Sequence, residues 1–297
     1  MTQTLKRELL TKQERSQKKQ ERRHRVLKLM RELQARKNMS SIKDAKGYRV
    51  TDPTAIAQAF KGFWGGIMRN SGVTEQQCAE WMESLPIPAR LRRAVPSIMQ
   101  QLTEATVVAA LERMKEGSAP GADGLPVEVY KTLQEECVRP MLWAIQECLR
   151  VGECPPGWVI SLQRNIPKTP TADMLADMRP IALQNVVFKW LATVVLIQLQ
   201  DALQIIIPSS QKGFMKGRRM LDHIEKARLM WESSEHINML LVDFSKAYDT
   251  VQHAFFAAAL RFFSVPEPYV RLLESALKGA VLFCVDSGYV REVCMVP

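Results

Sequence analysis

Cysteine, histidine and closely spaced metal-ligand pairs are scarce in this sequence. Its six cysteines (Cys78, Cys137, Cys148, Cys154, Cys284 and Cys294) form no close pair, and only four histidines accompany them. Neither a zinc module nor a disulfide framework is expected, and a reducing, intracellular compartment suits the chain. No run of 18 or more apolar residues occurs. The nearest, residues 186–207, is broken by Lys189, Gln198, Gln200, Asp201 and Gln204, so no membrane partner is expected. The N-terminus has charge but no apolar run behind it, unlike a secretory signal. No Asp-Asp dipeptide occurs anywhere, and no Gly-Lys-Ser/Thr follows the glycine-rich loop.

What is present is an ordinary globular balance, 46% apolar and 24% charged over 297 residues, enough for one large domain or two ordinary ones. The net charge of +10 is unevenly spread. Residues 1–37 hold 13 Lys/Arg against four Glu, whereas the rest hold 28 against 27 Asp/Glu. Glu8–Lys12, Glu14–Lys18, Glu21–Arg25 and Glu32–Arg36 are spaced as i, i+4 pairs, each adding ~0.3 kcal/mol to a helix. A basic helical arm over residues 1–38 is expected. It is either a solvated helix or an arm lying on nucleic-acid phosphates.

Turn residues around Gly47, between Ile42 and Val50, predict a short hairpin. Asp52-Pro53 predicts an N-cap and first helical position, with Ile56, Phe60, Phe63 and Trp64 on one face. Thr74 and Gln77 predict a capping box before a helix containing Trp81. Pro86, Pro88 and Pro96 predict a loop, then a helix runs from about Glu104 to Lys115. Gly121-Ala122-Asp123-Gly124 is consecutive tight turns, and by spacing alone either a structural loop or a phosphate cradle. A helix from Val127 to about Arg150 is expected to break near Pro140. Strands are expected over 158–166 and 177–183, and a core helix over 186–203. Gln211 to Arg219 packs four basic groups, two glycines and one aromatic into nine residues. It is either a plain basic loop or backbone that approaches a phosphate chain.

Residues 238–243 form an apolar run ending in Asp243, expected as a buried strand that delivers a carboxylate at its end. Such a group needs a partner or a metal. Magnesium suits one or two carboxylates plus phosphates, although phosphatases share the pattern. Asp249 and Gln252 are spaced as N-cap and N3 of a helix over 251–263, so helix capping is the plainer role for Asp249. Tyr248 on this reading is a core residue or a site residue.

Five blocks in order, GADGLPVEVYK (121–131), IPK (166–168), RPIAL (179–183), QKGFMKGR (211–218) and LVDFSKAYD (241–249), together resemble the reverse transcriptase domain of non-LTR, LINE-type retrotransposons. The resemblance covers roughly residues 105–297. It implies an α+β fold, a right-hand polymerase with fingers over 105–235 and part of a palm over 236–297. A hairpin and helical extension over 39–104 and the basic arm would precede them. The implied activity is RNA-directed DNA polymerisation, a nucleotidyl transfer by two metal ions. Asp243 would be the catalytic ligand of two Mg2+ ions. Lys168 and Arg179 would contact the dNTP, and Tyr248 would gate against a ribose 2′-hydroxyl. Gly121, Asp123, Gln211, Gly213, Phe214 and Arg218 would face template and primer. The implied partners are an RNA template, a DNA primer and dNTPs, in nucleus or cytoplasm.

The sequence departs from that family at its end. A Gly-Val-x-Gln-Gly block and a Y-x-D-D block normally follow, whereas Tyr289–Val293 keeps little of the first and the second is absent. Residues 177–178 are Asp-Met where Asn-Tyr is usual. A truncated domain, inactive as an isolated chain, is therefore expected. A non-catalytic RNA-binding derivative and a relative of group II intron reverse transcriptases are the alternatives.

Overall fold

The computed structural model describes residues 41–44, 47–68, 72–169, 171–233, 238–286 and 289–295. The expected basic arm over 1–38 lies outside the described residues. Helices and strands are mixed, as an α+β chain requires.

The chain enters through a hairpin, β1 (Ile42–Lys43) against β2 (Arg49–Val50), with Ile42 paired to Val50. Gly47 makes the turn possible at φ +85, a conformation costly for a residue with a Cβ. Helix α1 (Pro53–Ile67) starts as expected, with the Asp52 carboxylate accepting from the Ala55 N–H at 2.7 Å and Pro53 at the first position. Its apolar stripe buries Ile56, Phe60 and Trp64 with Ile42, Leu175 and Met178 in a small satellite core. The N-terminal extension is thereby fastened to the strands that follow. Lys43 reinforces this by donating its N–H to the Asp173 carbonyl and pairing with the Asp173 carboxylate, both at 2.7 Å.

Helix α2 (Glu75–Glu83) opens with the Thr74–Gln77 capping box. The proline-marked stretch contains two short helices, α3 (Ala89–Arg92) and α4 (Ala94–Ile98). Helix α5 (Glu104–Glu112) is capped by Thr103. The next two, α6 (Val127–Thr132) and α7 (Gln134–Val151), divide at Leu133 rather than near Pro140. Pro140 is tolerated inside α7 because it and Glu136, whose carbonyl loses its partner, both face water. Gly152 closes α7 in the left-handed conformation.

A 3-10 turn over Pro156–Trp158 delays the first long strand, so β3 is Ile160–Pro167. It pairs antiparallel with β4 (Met178–Gln184). Helix α8 (Val186–Ile206) then runs through the main core. It meets the length and hydropathy of a membrane span, yet half of that window is buried within the fold. The Trp190 indole N–H donates to the Val107 carbonyl at 2.8 Å, locking α8 on α5. Helices α9 (Leu221–Glu232), α10 (His253–Phe262) and α11 (Glu267–Lys278) follow. Arg261 binds Glu75, Glu267 and Glu274, which ties α10 to α2 and α11. Strands β5 (Val281–Asp286) and β6 (Tyr289–Met295) complete a sheet of order β4-β3-β5-β6, in which only β3 and β5 are parallel.

Two expectations are overturned between α9 and α10. Residues 238–243 are not a buried strand: they pair with no described strand, and Leu240 and Leu241 are 85% and 86% exposed. An apolar run becomes a strand only where a sheet edge accepts its backbone groups, and none of the described strands flanks it. Asp249 is not the cap of the following helix. Consecutive turns occupy 245–250, so α10 begins at His253 and Gln252 holds the N-cap position without a side-chain bond.

Candidate nucleotide and template site

The β3–β4 register decides which side chains share a face. Ile166 lies opposite Arg179 and Arg164 opposite Ile181. Because alternate residues point to one side, Arg164, Ile166 and Lys168 stand with Arg179 and Ile181. Ile166, Lys168, Arg179 and Ile181 are exposed, whereas Ser161, Gln163 and Met178 on the opposite face are buried. The two residues assigned to the nucleotide triphosphate, Lys168 and Arg179, are diagonal neighbours on this open basic face. Lys168 is anchored by its ammonium to the Ala176 carbonyl at 2.9 Å and by its N–H to the Asp177 carbonyl.

The loop of Gly121 and Asp123 sits at the other end of β4, about 20 Å along the strand from Arg179. Asn185, buried at the junction of β4 and α8, holds it. The Asn185 side-chain oxygen accepts from the Asp123 N–H at 3.1 Å, and its amide donates to the Gly157 carbonyl at 2.8 Å. Gly121 is packed so tightly that a Cβ there would stand 2.2 Å from that oxygen and 2.3 Å from the Asn185 backbone nitrogen. The Asp123 carboxylate accepts from the Leu125 N–H at 3.0 Å. It also acts on two half-buried neighbours. Tyr130 is pushed up to about 12, by burial first and by Asp123 second. Burial holds the Lys189 ammonium below the ordinary lysine range, with Asp123 opposing.

The 208–219 loop presents Phe214 at φ +60 and 94% exposed, beside Gly213. Gln211 bends back to donate its amide to the Gly213 carbonyl at 3.2 Å. Arg218 is occupied within the fold. One terminal nitrogen donates to the Pro208 and Gln211 carbonyls, the other to the Gln204 and Ile207 carbonyls and the Gln204 side chain. It therefore caps the carbonyl end of α8.

Phe214 meets Tyr248 edge to face at 6.2 Å and 88°. Tyr248 is 77% exposed and so is not a core residue. Asp243, five positions earlier, is also exposed. Between them Lys246 lies over the rings of Trp64 at 4.2 Å and Phe63 at 4.7 Å. Burial pushes its ammonium below the ordinary lysine value, Lys168 pushes the same way, and Asp249 opposes. Burial raises the Asp249 carboxyl in turn.

Phe214 thus meets Tyr248, and Lys168 lies near enough to act on the Lys246 ammonium, while Gly121 and Asp123 are held apart by Asn185. Among the described residues no group of three His, Cys, Asp or Glu lies close enough to hold a metal ion. Asp243 offers one carboxylate, not a full ligand set. Asn185 and Lys246 are the residues that spacing left unassigned. Lys246 stood inside a quoted block, but its aromatic partners are some 180 residues away in sequence.

An exposed face of Lys and Arg next to exposed aromatics is the equipment of a protein that grips nucleotides and single strands. Residues 166–295 match the family model for reverse transcriptase (RNA-dependent DNA polymerase). The relatives place it more narrowly. A transposon TX1 uncharacterized 149 kDa protein of Xenopus laevis is 22% identical over 252 residues, covering 82% of this chain and 19% of that protein. A probable RNA-directed DNA polymerase from transposon X-element of Drosophila melanogaster is 27% identical, covering 58% and 20%. The retrovirus-related Pol polyprotein from type-2 retrotransposable element R2DM of the same fly is 26% identical, covering 61% and 17%. The chain thus carries a reverse transcriptase domain fragment of the non-LTR, LINE-type kind. It spans about a fifth of the length of these curated relatives. The family acts on nucleotides with an RNA template and uses divalent metal ions.

Proposed function

We propose that residues 105–235 are the fingers and 236–297 the leading part of the palm of an RNA-directed DNA polymerase, with 39–104 as an extension packed against both. The observation that carries this reading is the contact of Phe214 with Tyr248. It joins the loop assigned to template and primer to the loop assigned to the incoming dNTP. Lys168 and Arg179 then attract the triphosphate electrostatically, and the Tyr248 ring lies beneath the sugar, where a 2′-hydroxyl would collide with it. Phe214 offers a face for a base to stack on, worth about 1–3 kcal/mol per base. Gln211, Gly213 and Arg218 shape the loop that presents it, and Gly121 with Asp123 faces the template farther along the strand. The basic segment 1–38 adds sequence-independent affinity through its excess of positive charge.

Asp243 is the residue here that would ligate Mg2+, two ions in this reading. Its solitary carboxylate means that the described residues do not form the metal site by themselves, so no step is derived through it. The test is Asp243→Asn in a polypeptide carried through a Y-x-D-D block, assayed on a primed RNA template. The amide matches the carboxylate in size but lacks its charge. Polymerisation is expected to vanish while template affinity, read by fluorescence anisotropy, stays within about twofold. Near-normal extension by the variant would reject Asp243 as the ligand, and a parent chain without affinity for primed RNA would reject the whole reading.

A further inference from the structure

The turn that carries Tyr248 is exposed along 241–250 except at Lys246 and Asp249, which are half-buried. Lys246 has the left-handed backbone conformation, φ +51, uncommon for a residue with a side chain. Its carbonyl accepts from the Asp249 N–H at 3.0 Å and from the Thr250 hydroxyl at 3.1 Å. The backbone of this one residue therefore closes the turn, while its side chain leaves it. The ammonium reaches α1 and rests on Trp64 and Phe63, two rings set edge to face at 5.1 Å and 83°.

Those rings are themselves fixed. Trp64 is 1% exposed, and its indole N–H donates at 3.2 Å to the Asn165 side chain on β3. Asn165 stands three residues before Lys168. A cation over aromatic faces is held by the ring quadrupoles, more strongly once water is excluded. The partial desolvation that lowers the Lys246 ammonium is consistent with such a seat.

We propose that Phe63 and Trp64 form an aromatic seat for the Lys246 ammonium, which positions the Asp243–Tyr248 turn beside the end of β3 that leads into Lys168. Helix α1, outside residues 166–295, thereby becomes a working part of the nucleotide site. Lys246 is a positioning residue on this account, not a catalytic one. The inference rests on reading 241–249 as the nucleotide loop.

Hydrogen–deuterium exchange of the full chain over residues 243–250 tests it without any need for catalysis. Lys246→Met keeps the length of the side chain and removes its charge. Phe63→Leu removes one ring from a half-buried position. Each is expected to speed exchange there by about fivefold or more, and Lys246→Arg, which also stacks on rings, is expected to restore it. Unchanged exchange in Lys246→Met, or no rescue by Arg, would overturn the proposal. Ultraviolet crosslinking of radiolabelled dTTP supplies the second readout, with Lys246→Met expected to weaken labelling about fivefold at sub-saturating nucleotide. Faster exchange with unaltered labelling would also overturn it. A parent chain that takes up no label at all would instead refute the nucleotide site, leaving the exchange result to stand as a fact about the turn.

Discussion

Gly121→Ala is the sharpest structural perturbation available, because two of the three nearest obstacles are backbone atoms. The new Cβ would lie 2.2 Å from the Asn185 side-chain oxygen, 2.3 Å from the Asn185 nitrogen and 2.5 Å from the Gln184 carbonyl carbon. Comfortable carbon contacts begin near ~3.5 Å, so the 121–124 turn must retreat by about 1 Å. Asn185 cannot yield to it, since its amide is tied to Gly157 and its own backbone starts α8. Overpacking of this kind costs about 1–3 kcal/mol. Retreat also breaks the bond from the Asp123 N–H and leaves a buried acceptor unsatisfied, about 1–3 kcal/mol more. The sum is about 2–6 kcal/mol, read as a fall in the urea midpoint followed by tryptophan fluorescence. Gly62→Ala is the control: Gly62 lies inside α1 with nothing within 4 Å of its added Cβ, so it should gain about 0.5–1 kcal/mol. A Gly121→Ala chain within 1 kcal/mol of the parent would refute the close-packed account of this loop.

Tyr248→Ala should cost little stability, at most the ~0.5–1.5 kcal/mol of its contact with Phe214. In a polymerase carried through the Y-x-D-D block it should raise ribonucleotide over deoxynucleotide incorporation, and equal loss of both kcat/KM values would show that Tyr248 is not the gate. Arg218→Ala should destabilise the chain by about 1.5–3 kcal/mol, since carbonyls at the end of α8 lose a charged donor; a thermal melt that does not shift would return Arg218 to the template. Burial first, and Lys278 second, push the His253 imidazole below its ordinary value. The unfolded chain therefore binds the extra proton first, so this stability is present above about pH 6.5 and is lost as pH falls through the folded value. Urea midpoints that decline on acidification, and flatten in His253→Gln, are the expected pattern.

Much of this protein was legible in its residues because the deciding interactions are local. The Asp52 and Thr74 caps, the hairpin at Gly47 and the core helix beginning at Val186 depend on partners only a few positions away or on an unbroken apolar surface. The ordered blocks from Gly121 to Asp249 likewise pointed to a reverse transcriptase, and the family match over 166–295 agrees. Tertiary structure decided the rest, wherever a partner is distant in the chain. Residues 238–243 have the composition of a strand, but strand formation is settled by a neighbouring edge that composition does not reveal. Pro140 has the chemistry of a helix breaker, but only its exposure tells that the freed carbonyl meets water. Tyr248 could be core or surface by type, and its 77% exposure follows from which elements happen to lie over it. Asn185 and Lys246 are polar residues of ordinary spacing. Their importance comes from Gly121 and from Phe63 and Trp64, which only folding carries to them, because close packing and cation–aromatic attraction act over a few ångströms of space and not along the sequence.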